Sequence, residues 1–78
     1  MDTHDVLIRE LGGYSIEVVK ELLYAMDERI ARERRKSEPD YPWLRACNQV
    51  RRAMIDVLEI KGEVRMIDAY FESRAANH

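Results

Sequence analysis

The sequence predicts an all-α fold: an antiparallel helical hairpin or small helical bundle with a short N-terminal helix and one long C-terminal helix. Three observations carry this expectation. Apolar residues recur at helical spacing through most of the chain. No stretch alternates apolar and polar residues as a half-buried strand would. Gly62 apart, turn-forming residues fall in two places only, Gly12-Gly13 and the segment Ser37-Glu38-Pro39-Asp40-Tyr41-Pro42.

The first helix is expected over about residues 3–11. Thr3 or Asp2 can cap it, and Asp5 sits in the first turn, where a carboxylate suits the helix dipole. Val6, Leu7 and Leu11 form its apolar stripe, and Gly12-Gly13 is read as a left-handed glycine stop. The second helix is expected over about residues 16–36. Ser15 is its N-cap, Glu17 lies in its first turn, and Tyr14 and Val19 stand at the spacing of a hydrophobic staple. Ile16, Val19, Leu22, Leu23, Met26 and Ile30 give it one apolar face, and Glu28 and Arg32 form an i,i+4 pair in the favourable order.

The third helix is expected over about residues 42–74. Asp40 or Tyr41 caps it, and Pro42 is tolerated in its first turn. At about 1.5 Å per residue such a helix is roughly 50 Å long. Gly62 could divide it, but no Ser, Thr, Asp or Asn follows to cap a new helix. The expectation is therefore one continuous helix with Gly62 at a close backbone approach. The first two helices together match the third in length. The simplest arrangement pairs the second helix with the first two-thirds of the third, and lays the first helix against the rest.

A single domain of 78 residues buries only about 60–65% of its unfolded surface. Cys47 is the one cysteine, so no disulfide forms within the chain, and the lone thiol suits a reducing compartment. The first apolar group, Val6 to Ile8, is too short for a signal peptide, and no run approaches a membrane span. A cytoplasmic protein without membrane contact is expected.

The third helix carries two apolar stripes. One is Trp43, Cys47, Val50, Met54, Val57 and Val64; the other is Leu44, Ile55, Leu58 and Ile67. Ile60, Met66, Tyr70 and Phe71 extend them. A helix apolar most of the way round is normally buried on more than one side, and a hairpin offers one neighbour. The expected occupant of the second side is another protein or an identical chain. Trp43, Ile55, Leu58, Ile67, Tyr70 and Phe71 are the candidate protein-binding residues, because large side chains of this kind dominate interface energetics. The competing reading closes everything over in a monomeric three-helix bundle, with Trp43 plugging the hairpin end.

Charge is segregated. Residues 1–28 carry a net −5, residues 29–52 a net +5, and residues 53–78 a net −2. In a hairpin the bases gather at one tip. Arg29, Arg32, Arg35, Lys36, Arg45, Arg51 and Arg52 could contact nucleic-acid phosphates or an acidic partner, against the plainer reading of a solvated, ion-paired end. The modest total charge of −2 and the lack of interleaved aromatics weigh against nucleic acid.

Catalytic and metal constellations are weak. Asp56, Glu59 and Glu63 share a helix face but have no His beside them, so a solvated acidic face is expected. Cys47 sits on an apolar face without an activating base. Gly12-Gly13 belongs to no phosphate-cradling motif. The expectation is a non-enzymatic interaction module (adaptor, chaperone-like subunit or inhibitor), with no cofactor, metal or small-molecule substrate. The alternative is a small nucleic-acid-binding protein that uses the basic tip.

Overall fold

A computed structural model describes residues 2–62 and 67–76, and the described residues contain helices and no strand. The helices are α1 (Thr3–Leu11), α2 (Ile16–Arg34), α3 (Tyr41–Gly62) and α4 (Ile67–Ala76). Whether the helix continues through residues 63–66 lies outside the described residues.

Local chemistry fixes the helix ends. Asp2, rather than Thr3, caps α1: its Oδ1 accepts the Asp5 N–H at 2.9 Å. Ser15 caps α2 as expected, its Oγ accepting the Val18 N–H at 3.3 Å. Asp40 caps α3, its Oδ1 accepting the Trp43 N–H at 3.0 Å and its carbonyl accepting the Leu44 N–H at 2.9 Å. Helix α2 ends two residues before the expected position 36. The N–H groups of Arg35 and Lys36 turn back to the carbonyls of Arg32 and Glu33, a tighter last turn that stops the helix.

The two glycine readings need correction. Neither Gly12 nor Gly13 adopts a left-handed conformation; Gly12 has φ −63° and ψ −17°. Helix α1 closes instead through short backbone bonds from Gly13 to Glu10 and from Tyr14 to Leu11. Gly62 ends α3, and among the described residues no atom lies within 4 Å of where a Cβ would stand, so none of them makes the expected close approach.

Three cross-links set the register of α2 against α3. Lys61 Nζ donates to the Tyr14 carbonyl at 2.5 Å. Arg51 Nε meets Asp27 Oδ1, also at 2.5 Å. Ile30 is buried with Leu44 and Cys47. Rising numbers on one helix meet falling numbers on the other, so the two run antiparallel. Helix α1 packs on the second half of α3, where Ile8 and Leu11 are buried in one cluster with Val19, Ala53, Met54, Val57 and Ile60, and it also meets Phe71 of α4. Leu7, Leu23, Met26, Val50, Leu58 and Phe71 pack around this cluster at partial burial.

The buried faces differ from the expected stripes in four places. Ile8 is buried on α1 while Val6 is exposed, because the docked face is Ile8–Leu11 with His4 one turn before Ile8. Leu22 is 39% exposed, so the core face of α2 excludes it. On α3, Leu44 is buried and Trp43 is exposed, because Ile30 lies over Leu44. Ile60, expected only as an extension, is fully buried. Removing its outer methylenes leaves a cavity at the meeting point of α1, α2 and α3. Ile60→Ala is therefore expected to destabilise the chain by about 2–4 kcal/mol. Urea unfolding followed by circular dichroism measures this; a loss under about 1 kcal/mol would contradict the packing described.

Candidate interaction surface

Four of the six candidate protein-binding residues lie among the described side chains. Leu58 and Phe71 pack against the chain's own core cluster, and Ile55 is half-buried. Arg9 stacks over the Phe71 ring, its guanidinium carbon 4.4 Å from the ring centroid, which holds α4 to α1. Trp43 is 37% exposed at the start of α3. The side chains of Ile67 and Tyr70 lie outside the described residues.

A different apolar surface is open. Val18, Leu22 and Ala25 are exposed on α2. They follow one another at steps of four and three residues, and Arg29 continues the series at a further four. This is the a/d spacing of a helix-packing seam. The buried seam of α2, with Val19, Leu23, Met26 and Ile30, lies beside it. So α2 presents two adjacent seams, one against α3 and one to solvent.

Helical period places further residues on the same side. The Asp27–Arg51 pair marks one side of the α2–α3 contact. At 100° per residue, Leu22, Ala25 and Arg29 lie on the opposite flank of α2. On α3 the corresponding flank is Trp43, Ala46 and Val50. Trp43 and Ala46 are exposed and Val50 is half-buried. Helix α1 covers α3 only from about Ala53 onward, so the first half of this flank has no covering helix.

The basic residues separate into two groups. Arg51 and Arg52 are used inside the fold: Arg51 pairs with Asp27, and Arg52 with Asp56 at 3.3 Å. Lys36 pairs with Glu33 at 3.1 Å, and the same Glu33 accepts the Asp40 N–H at 3.4 Å, which ties the loop to the end of α2. Arg32 lies 3.6 Å from Glu28, an exposed pair. Arg29, Arg34, Arg35 and Arg45 are exposed and make no ion pair among the described residues. Arg34 and Arg45 flank an open groove of about 470 Å³ that is also lined by Pro39, Tyr41, Leu44 and Asn48. Tyr41 is 62% exposed there. An aromatic ring and two arginines therefore line one groove, a juxtaposition that charge counting along the chain did not reveal.

Asp56 corrects one expectation. It is not part of a solvated acidic face: its side chain is 15% exposed, and Oδ2 accepts from His4 Nε2 at 2.8 Å. Glu59 is exposed, as a solvated face requires. The His4–Asp56 bond clamps the N-terminal turn of α1 to the middle of α3. The available signal was His4 itself, which precedes Ile8 and Leu11 by four and seven residues and so lies on the docked stripe of α1. Cys47 is buried with Ile30 and Leu44, away from this pair. Among the described residues no group of three His, Cys, Asp or Glu side chains is placed to hold a metal ion. No helix there is long and apolar enough to cross a membrane.

No protein-family model, no curated protein and no solved structure matches this chain.

Proposed function

We propose that the chain is a non-enzymatic protein-interaction module of the adaptor, chaperone-subunit or inhibitor type. It is an antiparallel hairpin of α2 and α3 braced by α1, and it binds another protein or a second copy of itself. One observation supports this most directly. The Val18–Leu22–Ala25 seam of α2 is exposed at packing spacing, and Trp43 of α3 is exposed farther along the hairpin, toward its tip. Scattered apolar residues are ordinary on a protein surface, but a contiguous seam has a reason to be covered. The part of α3 that contributes is its first half, from Trp43 to Val50. Leu58 and Phe71 already serve the chain's own core.

The test is capture from cells of the source organism, comparing the native chain with a Leu22→Glu/Trp43→Glu variant. Both positions are exposed, so the variant is expected to keep its helical circular dichroism. Proteins held by the native chain should be lost from the variant. Equal retention by a folded variant would contradict the proposed surface.

One observation favours a second reading, in which the tip binds single-stranded nucleic acid. Tyr41 offers a ring for base stacking, and Arg34 and Arg45 in the same groove offer charge for phosphates. Arg29, Arg32, Arg35 and Lys36 would add to the field. On this reading an oligonucleotide is retarded in a gel at low salt, and retardation falls steeply as salt rises. Arg34→Glu/Arg45→Glu should abolish it. No retardation at low salt would remove the reading.

A further inference from the structure

We infer that the occupant of the exposed seam is a second copy of this chain, packed α2 against α2 in antiparallel, two-fold fashion. This rests on the interaction reading above and names its partner. Charge complementarity carries the argument. The chain is acidic through residue 28, at net −5, and basic from 29 to 52, at net +5. Because α2 and α3 are antiparallel, the basic stretch folds back on itself and gathers at one end. Helix α2 spans both ends: Glu17 and Glu21 stand near its start with Lys20, and Arg29, Arg32 and Arg34 near its finish, followed by Arg35 at its C-cap, with Arg32 also close to Glu28 of its own helix. Among the described residues Glu17, Glu21, Arg29 and Arg35 make no ion pair. A parallel second copy would set acid on acid and base on base. An antiparallel copy sets the Glu17–Glu21 end of one helix against the Arg29–Arg32 end of the other, twice by symmetry.

The seam suits the same arrangement. Its midpoint falls between Leu22 and Ala25. Two-fold pairing about that point joins Leu22 and Ala25 of both protomers at the centre and sets Val18 opposite Arg29. Ala25 is small enough to let the backbones approach. Arg29 lays its aliphatic stem along the seam and carries its charge to the rim. This register also sets Tyr14 of one protomer level with Glu33 of the other. Trp43 stands at that level within its own chain, since Ile30 is buried beside Leu44 and Cys47. Tyr14 and Trp43 are 50% and 37% exposed. Antiparallel pairing brings two otherwise uncovered aromatics to the same height at each end of the interface, where such residues commonly anchor association.

Sedimentation equilibrium of the intact chain, from micromolar to millimolar concentration at low salt, tests this. The native chain is expected to dimerise, and Leu22→Asp to remain monomeric. Glu17→Arg/Glu21→Arg and Arg29→Glu/Arg32→Glu should each weaken self-association at least about tenfold. An equimolar mixture of those two variants should recover a dimer. Trp43 is the only tryptophan, so its emission should shift to shorter wavelength on dimerisation. A native chain monomeric throughout the range, or charge variants that dimerise as tightly as the native chain, would overturn the inference. If the chain stays monomeric but still captures other proteins through Leu22, only the second-copy inference falls. If it also captures nothing through Leu22, the interaction reading falls with it.

Discussion

The structure depends on the burial of one apolar junction on α3. Ala53, Met54, Val57 and Ile60 occupy a wide arc of that helix, too wide for one neighbour to cover. Helix α2 covers part of the arc and α1 covers the rest. Ile8, Leu11 and Val19 reach the same cluster from two separate elements. At roughly 25 cal/mol per Å² of apolar surface removed from water, a handful of fully buried side chains accounts for much of what a chain this small can gain. Around the junction the polar groups are fitted so as not to oppose it. His4 satisfies Asp56 at the edge, Arg52 adds a second contact to the same carboxylate, and Lys61 satisfies the Tyr14 carbonyl where the chain turns. Among the described residues no buried side-chain nitrogen or oxygen is left without a partner.

The same junction decides which surface remains open. Because α1 is nine residues long and docks over the second half of α3, it leaves the first half bare on that side. The smaller cluster of Ile30, Leu44 and Cys47 closes the α2–α3 contact at the tip, with Met26 bridging the two clusters. Neither cluster takes in Val18, Leu22, Ala25 or Trp43. The bare Trp43–Ala46 flank of α3 thus follows from the short reach of α1. The basic tip follows from topology: antiparallel pairing places the end of α2 beside the start of α3 and concentrates Arg34, Arg45 and Tyr41 around one groove.

Much of the local structure was legible in the residues. The all-α class, the limits of α1, the Ser15 cap and the Asp40 cap follow from periodicity and side-chain oxygens placed before apolar runs. These depend on neighbours within a few positions. What escaped the sequence was long-range. The choice between Trp43 and Leu44 as the buried residue depends on where Ile30 lands, and adjacent positions on a wide apolar face look alike until a partner helix is set. Leu22 fits the core periodicity for the same reason, yet it belongs to the neighbouring seam, one step round the helix. Asp56 looked solvated because its partner, His4, is 52 residues away in sequence. The division of the arginines into internally paired and unpaired sets likewise required Asp27, Glu33 and Asp56 to be located first.

If α1, α2 and α3 are joined by a single buried junction, they must open together. Native-state hydrogen exchange resolved by residue measures this directly. The amides of Leu11, Leu23 and Val57 to Ile60 should exchange through one shared opening, with equal free energies close to that of global unfolding. Exchange of the α1 amides by a separate, much easier opening, while α2 and α3 stay protected, would contradict the account.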